Sequence, residues 1–120
     1  MKYMMLIYSS PATWDALSQE ERDQLERDHA ELYRELVRSG EWVGGNPLAD
    51  PSRSVGVRVR GGVAVTSDGP YAEVKEHLAG FYLIECDSID RAIEYAARIP
   101  EAAYVDVEVR PVLDHISVDM

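Results

Sequence analysis

Val63-Ala-Val-Thr-Ser-Asp68-Gly69-Pro70-Tyr71-Ala-Glu73-Val-Lys75-Glu76-His77-Leu-Ala-Gly80-Phe-Tyr-Leu-Ile-Glu-Cys86 is the stretch on which the fold turns. A strand (Val63 to Thr66) runs into an Asp-Gly-Pro corner, a short polar segment follows, and an apolar strand begins at Gly80. Polar and ionisable side chains gather where a strand ends, which is where α/β and α+β domains commonly build a pocket. Phe81 to Ile84 is apolar on both alternating faces and reads as a central strand, covered on both sides.

Working back from the corner, Val55 to Arg60 alternates, with Val55, Val57 and Val59 expected inward and Arg58 and Arg60 outward. Gly61-Gly62 supplies the two-residue turn of a hairpin. Glu41 to Gly45 reads as a short strand, and Asn46 to Ser54, with two prolines, as a loop. Ser18-Gln-Glu-Glu21 is a capping box, opening a helix that runs to about Ser39 and stops at Gly40. Its apolar face is Leu25, Leu32 and Leu36, and His29 falls on that face, four residues after Leu25. Arg27, Glu31, Arg34 and Arg38 make the solvated face. Met1 to Tyr8 is a second strand apolar on both sides, broken by Ser9-Ser10-Pro11, with Trp14 and Leu17 in the loop beyond.

Working forward, Asp87 or Ser88 caps a second helix with an expected buried stripe of Ile89, Ala92, Ile93 and Ala96, ended by Pro100. Tyr104 to Arg110 alternates as a last strand, and the tail over 112–120 is expected to dock. A short turn with Tyr71, Val74 and Leu78 on one side is the reading after Pro70. The order is β, α, β, hairpin, β, α, β, in one domain spanning the 120 residues. Two helices cover one face of such a sheet, so the other needs a cover, and a second copy of the same sheet supplies it. The expectation is an α+β, ferredoxin-like sandwich: an antiparallel sheet with two helices on one face, pairing sheet to sheet as a homodimer.

Composition narrows the function. A net charge of −10, with cations interspersed among acids, argues against a nucleic-acid partner. The apolar run near the start is far too short for a membrane span and has no cleavage site of small residues. With a single Cys86 no intrachain disulfide forms, and a reducing cytoplasm is the expected compartment. His29, His77, His115 and Cys86 share no ligand spacing, so no metal is expected. No glycine-rich phosphate loop or nucleophile elbow occurs, and no cofactor is expected.

The ordered string of segments resembles a known family. Met1-Lys-Tyr-Met-Met-Leu-Ile-Tyr8, Gly44-Gly45, Val65-Thr-Ser-Asp-Gly-Pro-Tyr71, Glu73-x-Lys75-Glu76-x-Leu78-x-Gly80-Phe-Tyr-Leu-Ile84, Ala96-Ala-Arg-Ile-Pro100 and Val107-Glu-Val-Arg-Pro111 together look like the YCII-related family. More narrowly they look like its branch named for an Asp-Gly-Pro-Phe motif, with Tyr71 keeping the ring where that branch usually has Phe. The resemblance covers roughly residues 1 to 112. It implies a dimeric α+β barrel of ferredoxin-like protomers. Most members have no assigned activity; a related one is a dehydrochlorinase acting on a chlorinated hydroquinone, with a His–Asp pair proposed as catalytic. Members of the branch tend to be encoded beside extracytoplasmic-function sigma factors.

The candidate catalytic pair is therefore His29 and Asp68. An imidazole is a general acid or base at neutral pH, and a carboxylate on its second nitrogen fixes the tautomer and raises basicity. The bland alternatives are a core histidine with a satisfied hydrogen bond and an ordinary turn aspartate. Trp14, Tyr71, Glu73 and Lys75 are the candidate substrate-binding residues, with an ion pair bracing the corner as the structural alternative for Glu73 and Lys75. Two functions follow. One is a small-molecule site with cofactor-independent, lyase- or isomerase-like acid–base chemistry. The other is a non-catalytic dimeric module that binds a ligand or a protein and serves regulation.

Overall fold

The computed structural model describes residues 1–69 and 75–114. Its centre is a four-stranded antiparallel sheet of β1 (Lys2–Ser9), β2 (Trp42–Pro47), β5 (His77–Glu85) and β6 (Asp106–Pro111), in the order β2-β5-β1-β6. The helices are α1 (Pro11–Ala16), α2 (Gln19–Ser39), α3 (Ile89–Ala96) and α4 (Glu101–Tyr104). With the β3–β4 hairpin (Val55–Arg60, Val63–Asp68) inserted between the second and third strands of the sheet, this is a ferredoxin-like α+β arrangement.

β1 shows why one face becomes the core. Tyr3, Met5 and Ile7 are buried while Met4, Leu6 and Tyr8 between them are half-buried. The inward set packs with Ile84 of β5, Leu32 and Leu36 of α2, Ala92, Tyr95 and Ala96 of α3, and Ile99. The pairing Met5↔Tyr82 and Tyr3↔Ile84 carries β5 onto the same face. Close approach of β2 to β5 requires Gly45, because a Cβ there would lie 2.5 Å from the Phe81 carbonyl oxygen and 2.8 Å from the Trp42 ring.

The long helix forms as its caps dictate. The Ser18 hydroxyl accepts from the Glu21 amide at 3.1 Å, and the Glu21 carboxylate accepts from the Ser18 amide at 2.9 Å. At the other end Gly40 takes φ +79°, a left-handed conformation that side-chain-bearing residues adopt only at a cost.

Several sequence expectations are corrected. Trp14 lies in a helix, not a loop, because Ser10 caps Pro11–Ala16 with its hydroxyl on the Thr13 amide and Pro11 fits the first helical position. In α3, Ile89 and Ile93 are exposed and Tyr95 is buried instead. The reason is polar: the Tyr95 hydroxyl is drawn to Glu41, donating at 2.5 Å, and that rotation carries the helix's inner face onto Tyr95. Val55, Val57 and Val59 do not point into a core; β3 and β4 form a separate two-stranded sheet whose residues are all exposed. Beyond Pro100 the chain makes one more helical turn before β6, which begins at Asp106 instead of Tyr104. The expected turn after Pro70 and most of the expected docking tail fall outside the described residues.

Glu41, just ahead of β2, accepts from Nη2 and Nε of Arg91, at 3.1 and 3.2 Å, and from the Tyr95 hydroxyl. Those hydrogen bonds, Arg91's first, hold its carboxyl down to about 2 from the ordinary 4.5. A group depressed in the folded state stabilises above its unfolded pKa and loses that contribution as pH falls toward the folded one. Stability measured by denaturant titration is thus expected to decline between about pH 4.5 and about pH 2, and Glu41→Gln to flatten that decline.

Candidate functional site

His29 sits where α2 faces β5 and α4. Its position between Leu25 and Leu32 turns it toward the sheet, and its side chain retains 23% exposure. Nε2 lies 2.6 Å from Oε1 of Glu101, whose side chain is 14% exposed, and Nδ1 is hydrogen-bonded to the hydroxyl of Tyr82. The two rings meet edge to face, with centroids 5.8 Å apart.

Each partner is delivered by a different element. Tyr82 is brought to the helix-facing side by the alternation of β5, two residues from buried Ile84. It is held by edge-on packing with Trp42, centroids 5.2 Å apart, which in turn packs on Tyr33 at 4.9 Å. Glu101 opens α4, where an acid in the first turn suits the positive end of the peptide dipoles. Burial, and then the negative charge of Glu101, push the Tyr82 phenol above its ordinary range. It therefore stays protonated and donates to Nδ1, which leaves the ring proton on Nε2 to donate to Glu101. The sequence of donors is Tyr82 O–H to Nδ1, then Nε2–H to carboxylate, the arrangement of a hydroxyl–imidazole–carboxylate relay.

A cavity of about 340 Å³ opens beside it. His29, Tyr82 and Glu101 line it together with Ile7, Trp14 and Leu25, so ionisable groups meet an apolar wall. Trp14 is fixed from behind: the Arg22 guanidinium lies 4.6 Å from the indole centroid and donates to the Trp14 carbonyl at 2.8 Å. Among the described residues no group of three or more His, Cys, Asp or Glu side chains is placed to hold a metal ion.

Of the sequence candidates, His29 and Trp14 both line this cavity. Asp68 does not join them. It ends β4, exposed and paired across the hairpin with Val55, while both nitrogens of His29 are engaged by Tyr82 and Glu101. The carboxylate on the imidazole is Glu101, supplied from the far end of the chain. Lys75 is exposed just before β5; Tyr71 and Glu73 lie outside the described residues. Tyr82 and Glu101 were not singled out from sequence. Strand alternation contained a signal for Tyr82, since it shares a face with Ile84. For Glu101 the local signal was an acid directly after Pro100, a helix start that alternation toward β6 concealed.

Among the described residues, no helix is long and apolar enough to cross a membrane. A family model described as the YCII-related domain matches residues 1–116. The chain is also 34% identical over 113 residues to an uncharacterised protein of Rhizobium meliloti (strain 1021), covering 92% of this chain and 91% of that one. A sheet-and-helix frame of this order and a match over almost its whole length point the same way: the chain belongs to the YCII-related family.

Proposed function

We propose that this protein binds a small, largely apolar molecule, aromatic or enol-type, in the cavity beside His29 and moves a proton on it through Tyr82, His29 and Glu101. The observation that carries the reading is the engagement of both imidazole nitrogens, one by a phenol and one by a carboxylate, on the wall of a cavity of about 340 Å³. Such a chain of donors transfers protons without a cofactor. From the neutral ring, the phenol oxygen takes a proton from the bound molecule as its own proton passes to Nδ1, and Glu101 stabilises the imidazolium so formed. Run in reverse, the same steps return the proton to the molecule. Removal and return of a proton is what isomerisation and elimination next to a carbonyl or phenol require.

This reading uses His29 with Glu101, on the strength of their contact, where the resemblance suggested a His–Asp pair. A substrate-independent test is deuterium uptake from heavy water at the α-carbon of cyclohexanone, followed by NMR. Uptake above that of an equal concentration of free imidazole, abolished in His29→Ala, is the expected result. Saturable binding of hydroquinone or cyclohexanone at the cavity with no proton exchange at all would favour the second reading, a non-catalytic binding module. The exposure of Asp68 is the observation on that side.

A further inference from the structure

A second cavity, of about 320 Å³, adjoins the one beside His29. Its lining comes from the β1–α1 junction at Ser10, from Leu48 just beyond β2, and from His77 at the start of β5. Among the described residues, Trp14 and Ala79 alone line both cavities. An indole and a methyl group therefore stand where the two spaces meet.

Each is put there by a local device. The register of β1 with β5 runs Ile7↔Gly80 and then Tyr8↔Leu78, which leaves Ala79 as the extra residue of a β-bulge. Bulges re-aim a side chain and recur beside functional sites. This one is clamped from β2, since the Ala79 carbonyl accepts from the Leu48 amide at 2.8 Å. Trp14 is tethered at both ends of its backbone. Its amide donates to the Ser10 carbonyl at 3.0 Å, and its carbonyl accepts from the Leu17 amide at 3.2 Å as well as from Arg22. Yet α1 buries none of its six residues, so this fixing adds little to the core. The indole itself stays 42% exposed, because with Arg22 on its ring the remaining surface looks into open space.

We propose that Trp14, held across from Ala79, is a length stop: it confines the bound molecule to the inner cavity and shuts the outer one to its substituents. The proposal rests on the reading that a small molecule binds beside His29. An apolar cavity of about 150 Å³ already holds benzene, so the inner space of about 340 Å³ takes a single ring with short substituents. A ring with its oxygen at Tyr82 and a longer chain on its far side has to pass between the indole and the Ala79 methyl. The substrate class is thus a compact one-ring molecule, and a ring bearing a long alkyl or acyl chain is rejected.

Titration of the full chain with 4-methylphenol and with 4-butylphenol, followed by the NMR signals of the His29 ring, tests this. The wild type is expected to bind the butyl compound at least about 10-fold more weakly, within the discrimination that a packed pocket gives against added methylenes. In Trp14→Ala the ratio is expected to fall to about one or to reverse. Arg22→Leu, which keeps the indole but releases it, is expected to give an intermediate ratio, and it decides by that ratio should Trp14→Ala not fold. A purely structural role for Trp14 weakens both phenols alike and leaves the ratio unmoved. Equal binding of the two phenols by the wild type, or a ratio unchanged by the variants, overturns the length stop while the binding site beside His29 stands. If neither phenol moves the His29 signals, the small-molecule reading fails and the length stop falls with it.

Discussion

Glu101→Gln is expected to slow proton exchange at the cavity by about 10²- to 10⁴-fold, the range that a positioned acid–base group contributes. The amide keeps the size of the side chain and an oxygen for Nε2–H, at the 2.6 Å contact, but removes the charge that an imidazolium needs. Binding of the probe should change little, because the charge matters when the proton moves and not when the molecule arrives. His29→Ala should cost at least as much, and the double variant no more than the worse single one, since the two act as a unit. Asp68→Asn, on the exposed hairpin, should leave the rate where it was. A loss at Asp68 with Glu101 indifferent would return the carboxylate's role to the Asp-Gly-Pro corner.

The largest expected effect on stability is at Leu36. Its side chain is fully buried beneath α2, with Met5, Leu32, Ile84 and Ile99 as the other large residues sealed in the same core. Leu36→Ala removes those contacts and leaves a void, at a cost of roughly 2–5 kcal/mol. For a domain of this size that corresponds to a midpoint lower by roughly 10 °C or more in a thermal melt. Val37→Ala is the matched control: Val37 is 48% exposed, and its truncation should fall within about 0.5 kcal/mol of zero.

What sequence could give and what it could not divides along a physical line. Caps and alternation are local. Ser18 with Glu21, Gly40 at a positive φ, and the two-faced apolar runs in β1 and β5 are set by neighbours a few residues away, and they led to the ferredoxin-like order of elements. His29 was found for the same reason, by its place on a helical face. Its partner was not, because the carboxylate comes from Glu101, 72 positions along the chain, and choosing it over Asp68 depends on how α4 packs against β1 and β6. The valines of β3 misled for the opposite reason. Alternation says that one side of a strand will be covered, and it cannot say whether the cover belongs to the same molecule. In α3 the inner face was set by the pull of Glu41 on Tyr95, a polar contact 54 positions apart that hydrophobic periodicity does not register.

The aromatic packing around Tyr82 also has an optical consequence. The chain has two indoles: Trp14 lines the cavity, and Trp42 touches the very phenol that is hydrogen-bonded to His29. All of its indole emission therefore originates within one or two side chains of the same imidazole. A compound entering that space, or a proton arriving on the ring, acts on fluorophores already in position, so a library of unlabelled compounds can be surveyed by the molecule's own light before any reaction is known.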